Sequence, residues 1–221
     1  MRTTHVKSAR KHQGTCESCG QPIPQGSSYK WVKPRRKAKR KRHVGCPSWR
    51  PSELTTSNQL SIVYGGQEVA EAEVAAWDGY DTSDLRSILE TMAEAINEAA
   101  EAYRESASNI EDGFGHPTSM SEELVEKAEA LESWASDLES WDCPNGDEFE
   151  ADDAIAEDIF IQYCIDIDVP DGSTKEQARE NEDWDDSEYA RQIADAIEDA
   201  RLEWVEETRE AANDAVQENP L

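Results

Sequence analysis

Residues 16–46 read CESCGQPIPQGSSYKWVKPRRKAKRKRHVGC. The stretch opens with Cys16-x-x-Cys19 and closes with His43-x-x-Cys46, with 23 residues between the two pairs. Zinc takes four soft or borderline donors in a tetrahedron, and each close pair supplies one edge of it. Cys16, Cys19, His43 and Cys46 meet that requirement, and Gly20 stands where a knuckle turn needs a left-handed residue. Four protein donors leave no position for water, so the expected Zn2+ is single and structural. A region this small has too few apolar residues to fold unaided, and metal binding would supply the folding free energy. The competing reading is two unrelated Cys pairs near a histidine. His12 is the rival for the fourth ligand; His5 and His116 read as surface histidines.

Working outward, charge divides the chain. The net charge is −27 over 221 residues, yet residues 1–52 hold 14 Lys or Arg against one acid, Glu17, for +13. The remaining 8 Lys or Arg face 48 acids, for −40. Such asymmetry points to a separate electrostatic partner for each half. The Met1 end has no apolar h-region, and no apolar run approaches membrane-spanning length. Cys143 and Cys164 are left over from the metal set, a usage that fits a reducing compartment, so a cytoplasmic protein is expected.

Residues 1–15 read as a basic, partly ordered lead-in. Tyr29, Trp31 and Val32 form a short β-like run, and Arg35–Arg42 is the tip or return side of a hairpin. Beyond Thr55 the pattern turns helical. A first helix is expected within 57–77, weakened at Gly65-Gly66. A second starts at Thr82 or Ser83 and runs through Leu85, Leu89, Met92, Ile96, Tyr103 and Ile110 until Glu111–Pro117 ends it. A third starts near the capping box at Ser121 and carries Leu124, Leu131 and Leu138 at near-heptad spacing, suited to an antiparallel neighbour. Segment 151–168 is helical on Ile155, Ile159 and Tyr163, though its end, Ile165–Val169, could be a strand. Residues 170–186 read as a flexible connection, and a last helix spans about 186–217. The expected fold is therefore mainly α: a zinc-bound β-hairpin module of treble-clef or zinc-ribbon type at 1–52, an acidic helical region at 53–142, and an acidic helical C-terminal region at 143–221. The long helices form a hairpin or small bundle.

Two resemblances follow from particular residues. Cys16, Cys19, Ile23, Pro24, Gly26, His43, Cys46 and Trp49 together resemble the poly(ADP-ribose) polymerase type of zinc finger, a treble-clef-like sensor of DNA ends. Here the linker is shorter and made of Lys and Arg, and prolines interrupt the helix that would follow. More broadly, Lys7–Arg10, Pro47–Thr55 and Tyr103–Thr118 look like segments of a group of actinobacterial tailed-phage proteins. That group brings no activity, and it implies expression in a bacterial host cytoplasm.

The basic run suggests contact with DNA or RNA backbone. Lys30, Trp31, Lys33, Arg35, Arg36, Lys37, Lys39, Arg40, Lys41 and Arg42 are the candidate residues. Cations would neutralise phosphates, and Trp31 or Tyr29 would stack on unpaired bases. A solvated loop is the plainer reading of the same run. The acidic helices would contact a protein or fold back on the module. In the alternative reading they engage a host protein as a DNA mimic, with the finger only structural. Trp134, Trp141, Trp184 and Trp204 serve either as interface anchors or, more ordinarily, as core. The chain has no Gly-rich phosphate loop, no triad-capable set and no Glu-x-x-His motif, so a non-enzymatic role is expected.

Overall fold

A computed structural model describes residues 3–34, 38–79, 81–151, 153–170, 173–181 and 183–221. Three short strands come first: β1 (Thr4–Val6), β2 (Tyr29–Val32) and β3 (Arg40–His43). They form one antiparallel sheet in the order β1-β2-β3. Among the described residues the helices that follow are α1 (Pro51–Leu54), α2 (Asn58–Ala76), α3 (Thr82–Phe114), α4 (Ser119–Glu139), α5 (Asp153–Asp166), α6 (Lys175–Ala178) and α7 (Asp186–Gln217). The fold is mainly α with a small N-terminal β module, as expected. Among the described residues no helix is long and apolar enough to cross a membrane.

The chain divides into two compact units. The first comprises 1–73, 88–140 and 216–221; the second comprises 74–87 and 141–215. In the first, β2 pairs with β1 through Thr4↔Trp31 and Val6↔Tyr29, so the N-terminal lead-in contributes a strand. Its other edge pairs with β3 through Tyr29↔His43, Lys30↔Arg42 and Val32↔Arg40. Successive residues of a strand point to opposite faces. Lys30, Val32, Arg40 and Arg42 therefore share one face, and Tyr29, Trp31, Lys41 and His43 the other.

The helical part of the first unit is a hairpin of α3 and α4. Leu89, Met92, Ile96 and Tyr103 of α3 are buried, as are Leu131, Trp134 and Leu138 of α4. Two polar bridges give the register. The Asn97 amide donates to Glu139 at 3.3 Å, and the Arg104 guanidinium forks onto Glu132 at 2.7 and 2.6 Å. Seven residues forward on α3 thus match seven back on α4, the register that a heptad leucine stripe demands. The cap of α4 is Thr118, whose hydroxyl accepts from the Ser121 N–H at 3.1 Å, while Ser121 Oγ accepts from the Thr118 N–H at 2.9 Å. Ser121 is the reciprocal partner and not the cap. α3 runs on to Phe114, past the expected stop at Glu111.

Gly65 and Gly66 do not interrupt α2. A Cβ on Gly66 would stand 3.1 Å from the Cβ of Ala95 on α3, whereas Gly65 has open space. Gly66 lets the two helices approach closely.

In the second unit, Trp77 and Trp204 pack with ring centroids 5.9 Å apart, and the Trp204 indole donates to the Asn145 carbonyl at 2.9 Å. A second aromatic group joins Phe160 and Tyr163 of α5 to Trp184 and Tyr189, with centroids 5.0–6.4 Å apart. The tryptophans Trp134 and Trp204 are buried core residues. The β-branched end of α5 is not a strand. Asp168 takes a positive φ of 54°, the Val169 N–H bonds the Cys164 carbonyl, and the Asp168 N–H bonds that of Ile165. This is a Schellman turn with Asp168 in the left-handed position. Within 170–186, α6 is capped by the Thr174 hydroxyl.

The two glycines give a sharp contrast. Gly65→Ala should stabilise the chain by about 0.5–1 kcal/mol through helix propensity. Gly66→Leu should cost about 1–3 kcal/mol by overpacking against Ala95. Chemical denaturation of both variants measures the difference, and equal effects would contradict the close approach.

Candidate metal centre

The first knuckle is built by backbone bonds. The Gly20 N–H bonds the Cys16 carbonyl at 2.9 Å, the Cys16 N–H bonds the Gln21 carbonyl at 2.7 Å, and Gly20 takes a φ of 69°. An L side chain resists that conformation, so glycine is required there. The second pair lies at the end of β3, where the Cys46 N–H bonds the His43 carbonyl at 3.1 Å and closes a turn.

These turns bring the donor atoms of Cys16, Cys19, His43 and Cys46 within 4.8 Å of one another. The Sγ atoms of Cys16 and Cys46 are 3.7 Å apart. His43 Nδ1 lies 3.4 Å from Cys19 Sγ and 3.9 Å from Cys46 Sγ. A tetrahedral ion with metal–sulfur bonds of about 2.3 Å has sulfur–sulfur edges of about 3.8 Å and sulfur–nitrogen edges of about 3.5 Å. The four donors fit a single such ion. The other ring nitrogen, His43 Nε2, is 3.2 Å from the Pro22 carbonyl. A metal on Nδ1 leaves the proton on Nε2, which then donates to that carbonyl and fixes the ring. His12 stands apart from the cluster, its Nδ1 accepting from the Gly14 N–H at 3.1 Å.

The local field favours a first thiolate and opposes further ones. Burial opposes the Cys16 thiolate, but the backbone N–H groups of Cys19, His43 and Ser18 outweigh it and lower the thiol to about 6. Cys46 is pushed up, first by burial and then by bonds to Cys16 and Cys19 and their charge. Three sulfurs this close disfavour a third anion unless a cation joins them.

The basic residues around this centre separate by strand face. Lys30 is 4% exposed, and its ammonium donates to the Cys46 carbonyl and to Ser48 Oγ. Arg42 is 7% exposed, donates to the Pro47 and Ser48 carbonyls, and pairs with Glu53. Its guanidinium lies 5.0 Å from the centre of the Trp49 ring. Arg40 bonds both oxygens of Glu17 at 2.8 Å and also reaches Glu53. Glu17 in turn accepts from the Trp49 indole at 2.9 Å. Lys41 donates to the Gln13 carbonyl at 2.9 Å. Lys30 and Arg42 lie opposite each other on neighbouring strands, an arrangement of like charges that is unfavourable without such acceptors. Of the ten residues of the expected nucleic-acid set, Lys30 and Arg42 are buried and Arg40 and Lys41 half-buried. Lys30, Arg40, Lys41 and Arg42 brace the module. Lys33 and Lys39 are exposed, Trp31 is half-buried beneath Lys39 at 3.9 Å, and Arg35, Arg36 and Lys37 lie outside the described residues.

Sequence reading passed over the two carboxylates that organise these cations. Burial raises the Glu17 carboxyl, but hydrogen bonds from Arg40 and Trp49 outweigh it and hold it below the usual range. Glu53 is lowered likewise against burial, by the Arg50 N–H and by Arg42 and Arg40. A signal for Glu17 existed, since it is the one acid among the first 52 residues. Glu68 of α2 accepts from the Ser52 N–H at 3.0 Å and its hydroxyl at 2.6 Å, joining α1 to the first unit's helices.

No family model, curated protein or solved structure matches this chain.

Cys46→Ser should lower the metal content of the chain, measured by atomic emission after dialysis, because it removes one of the four donors. Chelation of the wild type should broaden the NMR amide signals of residues in β1–β3 and leave those of α4 in place. Glu53→Gln should lower stability by about 1–3 kcal/mol in denaturant at neutral pH, because it leaves the Arg42 charge buried without its partner. Glu101→Gln, on an exposed helix position, should stay within about 0.5 kcal/mol.

Proposed function

We propose that residues 1–52 form a zinc-stabilised module that binds nucleic acid through its phosphate backbone, and that the acidic helices serve protein contact. The donor set supports zinc: three thiolates and one imidazole in a closed tetrahedron are a structural zinc set. One observation carries the nucleic-acid reading. Lys7, Arg10, Lys11 and Lys33 are exposed and have no ion pair among the described residues, in a module whose single acid is already engaged by Arg40 and Trp49. Lys39 joins them over the Trp31 ring, and the sequence places Arg35, Arg36 and Lys37 between Lys33 and Lys39. Such a patch follows phosphates and does not read bases, since no helix of the module presents Arg, Asn or Gln to a groove. Trp31 offers a partly accessible ring on which an unpaired base could stack beside the cations.

The zinc-loaded full chain should bind duplex DNA with a negative slope of log affinity against log salt. Lys33→Glu and Lys39→Glu together should weaken binding and flatten the slope by about 0.9 for each phosphate that is no longer neutralised. Fluorescence anisotropy over a salt series measures both. An unchanged slope in the double variant, or no binding by the wild type at low salt, contradicts the reading.

A further inference from the structure

α5 is apolar on more than one side. One side is accounted for: Tyr163 and Cys164 are buried, and Phe160 packs edge-on against Tyr189. Another is not. Ile161 and Ile165 are 48% and 62% exposed. They stand one helical turn apart in a row that begins at Glu157, and the row lines a cavity of about 640 Å3. Cys164 lies along the groove, and Val169 and Pro170, held by the Schellman turn, also line it. The whole groove lies within residues 141–215 of the second unit. From Glu157 to Ile165 it extends about 12 Å at 1.5 Å per residue, the length of about two helical turns.

Charge decides the occupant. Residues 153–170 contain five acids and no Lys or Arg. Glu157 lines the groove, Asp158, Asp166 and Asp168 are exposed along α5 and its cap, and none of these four is in an ion pair among the described residues. A second copy of this chain would bring the same carboxylates against them. A helix with an apolar stripe flanked by Lys or Arg would cover Ile161 and Ile165 and meet the acids at the rim. We infer that the α5 groove is a docking site for a cationic amphipathic helix of a partner protein.

The test uses the full zinc-loaded chain and a synthetic Leu/Lys peptide of about four helical turns, with leucines at three- and four-residue steps. A peptide of the same composition, scrambled to remove that periodicity, is the control for charge alone. Calorimetry at physiological salt should show the patterned peptide binding at least about tenfold more tightly than the scrambled one. Ile161→Ser with Ile165→Ser should remove that advantage while the helical circular dichroism is kept. Leu202→Ser, at an exposed apolar position outside the groove, should leave it intact. Equal binding of the two peptides, or full binding by the Ile161/Ile165 variant, overturns the inference. So does a concentration-dependent dimer that the same two substitutions abolish, because a second copy would then be the occupant.

Discussion

Three sulfurs and one imidazole nitrogen meet at the end of a chain segment that has almost no apolar core of its own. Among the described residues Ala9, Ile23, Val32, Pro34 and Trp49 are the buried apolar residues around it, too few to offset the ordering of some fifty residues. The tetrahedral donor set closes the loop from Cys16 to Cys46. That closure places β3 beside β2 and delivers the carbonyls of Cys46, Pro47 and Ser48 to Lys30 and Arg42. The cations of the inner face are tolerable only because the metal turn sets those acceptors in place, and because Glu17 and Glu53 stand on either side of Arg40. The donor cluster, strand register and charge neutralisation are one cooperative arrangement.

The same arrangement separates the basic residues by role. A run of Lys and Arg has no period of its own in one dimension, and it reads as a uniform cationic loop. Where it becomes β3, Arg40–His43, it acquires the period of two. Arg40 and Arg42 turn inward with Lys30, and among the described residues Lys7, Arg10, Lys11, Lys33 and Lys39 are exposed cations without an ion pair. Part of the basic composition of the module is thus internal, at Lys30 and Arg42.

Much of this was legible in the chain because the signals were periodic or chemically specific. Four ligands at fixed spacing identified the centre, and a leucine every seventh residue in α4 pointed to an antiparallel neighbour, which the structure shows to be α3. The rest depended on partners distant in sequence or on cap geometry that composition does not reveal. β1 is three residues with no pattern, and only the open edge of β2 makes it a strand. Gly66 reads as a helix breaker until Ala95 is seen against it. Ile165–Val169 has strand-like composition, but the four-residue steps from Ile155 to Tyr163 carry the helix on, and Asp168 closes it in the left-handed region. Thr118 caps α4 from three residues before Ser121. For β1 and Gly66 tertiary context overrode a local preference of about a kcal/mol or less, whereas Thr118 and Asp168 close their helix ends by local hydrogen bonds.

The most direct test is an NMR titration of the isotope-labelled, zinc-loaded chain with a short oligonucleotide, following lysine and arginine side-chain signals as well as amides. The expected result is that Lys7, Lys11, Lys33 and Lys39 shift with added nucleic acid while Lys30 and Arg42 stay where they are. Shifts at Lys30 and Arg42 of the same size, or no shifts in the module at all, would contradict the division between bracing and free cations.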